Sequence, residues 1–192
     1  MPMQAADMLR EDHRLIVRVI SALGRYVDRL ERVSDADVTD LGRFVTFFQE
    51  FGEFRHQDKE ETILIPQMVR AGFSWDERPI SEIQRDHEHE RYLVRELRHA
   101  ALVPTAWSSE QRRHTIAIAR ELVAFLRAHI EKEDLLLLPA MSRLPNDVTK
   151  RMRSDFERFD RVHRAVSGVV NLRALGERLA ARYATDQRLA SK

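Results

Sequence analysis

Residues 56–66 read HQDKEETILIP, and residues 129–139 repeat this pattern as HIEKEDLLLLP. Each copy begins with a histidine and carries a glutamate four positions later. Residues four apart lie on the same face of an α-helix, so each copy presents one imidazole and one carboxylate to the same neighbour. This pairing is typical of a metal site. The motif residues are His56, Glu60, His129 and Glu133.

The repetition extends upstream of both motifs. Asp12-His13 precedes the first motif and Asp86-His87 precedes the second. The two upstream histidines are separated by 74 residues and the two motif histidines by 73. The sequence therefore predicts an internal two-fold repeat, with candidate metal ligands in register in both halves.

The chain has 192 residues, a length that predicts one large domain with a substantial core. With 32 basic and 31 acidic residues the net charge is +1, so we expect no strong electrostatic attraction to nucleic acid. The chain has no cysteine, so disulfides and thiolate metal sites are excluded. We find no membrane-spanning or signal segment and expect a cytoplasmic protein.

Apolar residues recur at helical spacing almost throughout the chain. We therefore predict an all-α fold, an up-down four-helix bundle with an additional C-terminal helix. The bundle would occupy residues 1–145, and residues 146–192 would form the appended helix packed on it within the same domain. Ser34-Asp35-Ala36-Asp37 predicts the first turn, Gly72 the end of helix two, and Ser108-Ser109 the cap of helix four. The predicted helices are approximately 5–33, 38–70, 80–101, 109–141 and 147–184.

The heights of the candidate ligands within such a bundle follow from the sequence. Residues equally far from a connecting turn lie at the same height, because each helical residue rises by about 1.5 Å. The midpoint of His13 and His56 falls between Ser34 and Asp35, inside the first predicted turn. The other candidate ligands give midpoints in the second and third connections. The four histidines and two glutamates are therefore expected in one layer.

Such a layer needs partners, since burying unpaired polar groups costs several kcal/mol each. Metal ions would supply them. Six ligands exceed a tetrahedral zinc site and suit two metals, which the carboxylates are able to bridge. Histidine with carboxylate favours iron, with manganese or zinc as alternatives.

The order His, His-x-x-x-Glu, His, His-x-x-x-Glu resembles the hemerythrin-like, or HHE cation-binding, family over about residues 9–142. The resemblance implies two iron ions, bridged by oxide or carboxylate. It also implies a protein that binds or senses O2, NO or peroxide, or handles iron; the alternative is a di-iron enzyme that scavenges peroxide as a peroxidase or catalase does. The residues do not decide whether the chain is an enzyme. The implied ligands are His13, His56, Glu60, His87, His129 and Glu133.

One departure from the family pattern concerns Arg91. Oxygen-carrying hemerythrins place a fifth histidine four residues after the third-helix histidine, and Arg91 stands there. The departure argues against reversible oxygen carriage and favours a more open site. Arg91 is expected to act as a charge partner.

Further candidates lie near the predicted layer. His163 is either a core histidine, the favoured interpretation, or a ligand in the missing fifth position. Glu61 and Asp134 are rotated about 100° from the motif glutamates, so we expect either surface acids or acids that support a ligand, with coordination by Glu61 as the alternative. Glu90, three residues after His87, is a candidate substitute ligand. The predicted partners are a small diatomic molecule or peroxide, with a homodimer left open.

Overall fold

The computed structural model describes residues 4–32, 39–103, 107–166 and 171–184. Within these ranges the regular structure is helical and contains no strand, which confirms the predicted all-α class. Among the same residues, no helix combines the length and the apolar character that crossing a membrane requires. The helices are α1 (Ala5–Arg32), α2 (39–70), α3 (Ile80–Ala101), α4 (109–140), α5 (Asn146–Val166) and α6 (Leu172–Arg182).

Both motif-bearing helices change from α to π geometry at the motif glutamate. In α2 a π segment spans Glu60–Leu64, and in α4 the equivalent segment spans Glu133–Leu137. A third π segment, Phe48–Gln57, lies in α2 alone. Its repeat counterpart in α4 is regular α-helix, since Ser109–Lys132 is uninterrupted. Single-turn π segments are rare in helices and frequent at functional sites.

The helix ends follow local signals in the sequence. Ser108 caps α4 through a capping box, because its hydroxyl accepts a hydrogen bond from the Gln111 amide while the Gln111 side chain accepts one from Ser108. Gly72 has a φ of 100°, a conformation that glycine adopts without strain, just after α2 ends. Both predicted ends are confirmed. The predicted turn at residues 34–37 lies outside the described residues.

Two apolar clusters lie on either side of the candidate ligands. On α1, Leu9 belongs to the smaller cluster and Ile16 to the larger, and His13 stands between them. On α4, His129 and Glu133 fall in the same way between the buried Leu126 and Leu137. The core is therefore interrupted by one polar layer, which is the arrangement that the height argument predicted.

The predicted fifth helix is divided. The structure has α5 and α6 in place of one helix over 147–184. Asn171 breaks the helical path with a ψ of 93°, and its side chain accepts a hydrogen bond from the Ala174 amide. Asparagine is a strong N-cap residue for this reason. Both helices contact α1 and α2.

Candidate metal centre

Glu133 lies at the centre of the polar layer. Its carboxylate oxygens are 3.2 Å from Nε2 of His13, 3.1 Å from Nε2 of His129 and 3.4 Å from Nε2 of His87. The Glu133 side chain is fully buried. One carboxylate therefore meets imidazoles from α1 and α3 as well as the imidazole one turn earlier on its own helix, α4.

Glu60, from the other motif, also faces the polar layer and shares His87 with Glu133. Its oxygens are 3.9 Å from Nε2 of His56 and 3.4 Å from Nε2 of His87. The rings of His13 and His56 meet edge to face, with Nε2 atoms 3.2 Å apart, and those of His87 and His129 meet in the same way.

These residues form two groups whose ligand atoms lie within 4.8 Å of one another. All members are buried, and Glu133 belongs to both groups, so a metal ion in each would share that carboxylate. The first cluster is His13, His56, Glu60 and Glu133, and the second cluster is His87, His129 and Glu133.

The carboxylate oxygens of the layer lack hydrogen-bond donors. Both oxygens of Glu60 and both of Glu133 are buried and accept no hydrogen bond, and Nε2 of His87 is equally unbonded. Buried polar atoms are normally hydrogen-bonded, because leaving one unsatisfied costs about 1–3 kcal/mol. Cations coordinated by these atoms would remove that cost, so the donor set fits metal ions.

In each imidazole of the layer, the Nδ1 atom points away from the glutamates and towards an acidic side chain. This acid comes from a neighbouring helix in every case. For His13, His87 and His129 it favours a proton on Nδ1, which leaves the Nε2 lone pair for a metal. Nδ1 of His56 makes no hydrogen bond. The distances between Nδ1 and the acid are 2.9 Å for His13 with Asp134, 2.7 Å for His87 with Glu61, 3.3 Å for His129 with Asp86, and 3.9 Å for His56 with Asp12.

Asp12 is the centre of a buried ion network. Its carboxylate is 2.6 Å from Nζ of Lys59, 3.1 Å from Arg55 and 3.0 Å from Arg173 of α6. Asp160 of α5 contacts Arg55 at 2.9 Å and Lys59 at 3.4 Å. The basic groups hold the pKa of Asp12 well below its usual range, although burial acts to raise it. Arg173 of α6 thus contacts the acid that faces His56, and Asp160 of α5 contacts the basic partners of that acid.

The imidazoles of the layer are strongly biased towards protonation without a metal. Burial lowers the pKa of His13, but Asp134 and Glu133 outweigh it and raise the pKa to about 10. Burial also lowers the pKa of His129, while Glu133 and Asp86 raise it to about 9. Burial raises the pKa of Glu133, yet His129 and the other imidazoles hold it well below its usual range. Positive charge is therefore stabilised at this position.

The six motif residues predicted from the sequence come together in the layer, and their role as ligands stays a prediction. The two clusters do not include His163, Glu61 or Glu90. Glu61 supports His87 and accepts a hydrogen bond from Arg91 at 3.0 Å, which makes Arg91 a partner of a supporting acid. His163 lies on α5, stacked 6.2 Å from Phe159.

Sequence reasoning did not find the supporting roles of Asp12 and Asp86. The signal in the sequence is the Asp-His doublet, which is present in each half. Each aspartate supports the histidine of the next helix and pairs with the lysine three residues beyond it, Lys59 or Lys132.

Comparison with known families gives one match. The model described as hemerythrin HHE cation binding domain matches residues 4–141, which covers all six motif residues. Searches of curated proteins and of solved structures returned no match.

Proposed function

The chain belongs to the hemerythrin HHE cation-binding family, and from that premise we propose that it is a non-haem di-iron protein. It would bind or sense O2, NO or peroxide, or handle iron. The proposal depends most on the four buried carboxylate oxygens of Glu60 and Glu133 that accept no hydrogen bond among converging imidazoles. Two cations coordinated in this layer would give the four carboxylate oxygens partners and so offset the cost of burying them.

The residues divide between two metal positions. His13, His56 and Glu60 would hold the first metal and His87 and His129 the second, and Glu133 belongs to both clusters. An iron pair in such a site supplies redox capacity and open positions for a small ligand. The chain contributes supporting acids that hold each ring in one tautomer, and apolar clusters that keep bulk water from the layer.

A second candidate is a di-iron enzyme with peroxidase-like or catalase-like activity. Glu53 favours it, because burial raises the pKa of this half-buried acid, and an acid with a raised pKa suits proton transfer. Arg91 acts in the opposite direction and lowers the pKa of Glu53.

Related proposals concern the remainder of the chain. We infer an up-and-down arrangement of α1 to α4 with two-fold internal symmetry, and we treat residues 146–192 as part of the same domain. We also propose a cytoplasmic location and a small diatomic molecule or peroxide as the ligand. Manganese or zinc would fit the same donors.

The first experiment is a metal count and an absorption spectrum of protein expressed with supplemented iron. About two irons per chain with bands of a bridged ferric pair would support the proposal, and a protein without bound iron, manganese or zinc would refute it. Added peroxide then separates the two candidates. Repeated turnover with oxygen release supports the enzyme, while a single spectral change that reverses supports the binding protein.

A further inference from the structure

The two halves of the bundle differ in how much of their outer surface is covered. Helices α5 and α6 both lie against α1 and α2, which form the first half. The second half consists of α3 and α4. The repeat offset of 73 residues pairs Ile63 of α2 with Leu136 of α4. Ile63 is half-buried, whereas 48% of the Leu136 surface is exposed. The second half is therefore the less covered one.

The residues that stay exposed in the second half are unusually apolar. The most exposed large apolar side chains of α1 to α4 all belong to α3 or α4, and they are Leu135 at 65%, Leu136 at 48% and Tyr92 at 45%. Two of them have exposed counterparts in the first half, and these counterparts are polar. Thr62 corresponds to Leu135, and Arg18 corresponds to Tyr92. Exposed apolar and aromatic side chains that share one surface mark an interface with another molecule.

The exposed leucines and the exposed tyrosine lie at opposite ends of one surface, the α3–α4 face. Contacts between the two helices show that they run in opposite directions, because Asp86 meets Lys132 while His89 meets Glu121. Following this register, Tyr92 is level with the first half of α4, and the leucines lie near its other end. The separation along the bundle is about 20 Å, since each helical residue rises by about 1.5 Å.

The leucine end of the face is recessed. A cavity of about 650 Å³ opens there, lined by Leu136, by Pro79 before the start of α3 and by Phe73 of the preceding connection. At the other end the half-exposed ring of Tyr92 stands out from α3, with Cζ of Arg95 at 5.7 Å from the ring centroid. The same face therefore carries a recess at one end and a projecting aromatic ring at the other.

We propose that the α3–α4 face binds a second copy of this chain about a two-fold axis, with Tyr92 of each copy entering the recess beside Leu136 of the other. In a two-fold interface, residue i contacts residue j and j contacts i, so a face with a ring and a recess complements itself. A tyrosine in a pocket is a frequent anchor of protein interfaces. Each copy would cover α3 and α4 of the other with two helices, as α5 and α6 cover α1 and α2.

The size of the face suits this pairing. Helix α3 has 22 residues, so α3 and α4 side by side present a surface about 33 Å long and about 20 Å wide. A stable interface buries about 800 Å² of each partner, which is of the same order. The pairing needs no metal ion, so it is independent of the proposed function.

The test is the mass of the full-length protein in solution, measured by sedimentation over a range of protein concentrations. The unaltered protein should be a dimer. Leu136→Glu places a charge in the recess of both copies and should weaken dimerisation about 100-fold. Tyr92→Arg copies the counterpart Arg18, removes the anchoring ring and should cause a similar loss. Thr62→Glu, which adds a charge at an exposed position of the covered half, is the control and should leave the dimer unchanged.

The double variant Tyr92→Arg with Leu136→Glu tests the pairing itself. Opposite charges would meet across the two-fold axis, so dimerisation should recover about 10-fold relative to either single variant. Helix content and thermal unfolding are measured for every variant and should stay unchanged, because both side chains are largely exposed.

Three results would overturn the inference. These are a monomeric unaltered protein, a dimer that both single variants leave intact, and a double variant no stronger than the single ones. A monomer that uses this face to bind a different protein would also reject the second copy as the occupant. Each result is obtained without iron, so it leaves the proposed metal centre to its own test.

Discussion

Asp12 and Asp86 occupy equivalent positions in the two halves of the bundle, but their surroundings differ. Asp12 and its partner Lys59 are almost fully buried, with side chains 1% and 0% exposed. Asp86 and Lys132 are 16% and 28% exposed. The same charge pair is therefore part of the core in the first half and borders solvent in the second.

The source of this difference is the C-terminal region. Asp160 of α5 and Arg173 of α6 complete the network around Lys59 and Asp12. Among the described residues, Asp86 pairs with His129 and Lys132, both from α4. Asp86 is 3.3 Å from its histidine, whereas Asp12 is 3.9 Å from His56. We therefore expect the buried network of Asp12 to contribute mainly to stability. We expect Asp86 to act mainly by supporting the imidazole of His129.

The largest expected effect comes from the carboxylate that both halves share. Glu133→Gln removes a charge from both clusters, so we expect loss of both metals, measured as iron per chain. His129→Ala should remove only the metal of the second cluster, and His56→Ala only that of the first. If either histidine variant loses both metals, the halves do not act as separate positions.

The comparison of the two aspartates becomes sharper with matched substitutions. Asp12→Asn leaves Lys59 buried with less compensation, which should destabilise the protein by about 3–5 kcal/mol. Asp86→Asn should cost about 1 kcal/mol or less, because that pair is partly hydrated. In metal affinity Asp86→Asn should cost about 10- to 100-fold, since it supports His129. Denaturant unfolding of the metal-free proteins and iron titration measure the two quantities, and equal losses of stability would break the comparison.

The pH dependence of the metal-free protein compares the imidazoles of the two halves. The pKa values of His13 and His129 are raised from 6.5 to about 10 and about 9. A raised histidine pKa stabilises the folded state fully below the unfolded value, and that stability is lost as the pH rises through the folded value. We expect the stability of the metal-free protein to fall between about pH 6.5 and 10, with the His129 step first. Thermal unfolding across this range, with His129→Gln as the control, tests it, and a flat profile would contradict it.

Gly176 of α6 tests whether the packing of α6 against α1 and α2 stabilises the first half of the bundle. A Cβ there would lie 2.5 Å from Cε2 of Phe47 and 3.1 Å from Cδ1 of Leu15. Gly176→Ala should force α6 away from α1 and α2 and cost about 1–3 kcal/mol of stability. The effect should be confined to the first half and leave the iron of the second cluster in place.

Gly42 of α2 is the matched control with the smallest expected effect. No atom lies within 4 Å of a Cβ built there. Gly42→Ala should raise the free energy of unfolding by about 0.5–1 kcal/mol, as in an open helix. Destabilisation by both glycine variants would show that the close packing of α6 is not the cause.

Much of the candidate site was predictable because each helical residue advances by a fixed rise along the bundle axis, so the sequence gives the height of each side chain. The four-residue spacing of His56 and Glu60 sets a common face, and the turn midpoints set a common level. Position around the bundle axis was not predictable in the same way. His163 was expected level with the layer, but α5 lies outside the first four helices, so height says nothing about its distance from the centre.

The supporting acids show the same limit. The 100° rotation of Glu61 away from Glu60 favoured a surface or supporting acid over a ligand, and only the structure identifies His87 as its partner. The π segments were not predictable, since no residue type specifies them. The break at Asn171 was predictable from a capping residue type, and the continuous apolar pattern concealed it.

Anaerobic titration of the metal-free protein with ferrous ion tests the two-metal claim most directly. The account predicts saturation at about two ions per chain, falling to about one in His129→Ala and to none in Glu133→Gln. Saturation at a single ion, or a stoichiometry that the Glu133 substitution leaves unchanged, would contradict it.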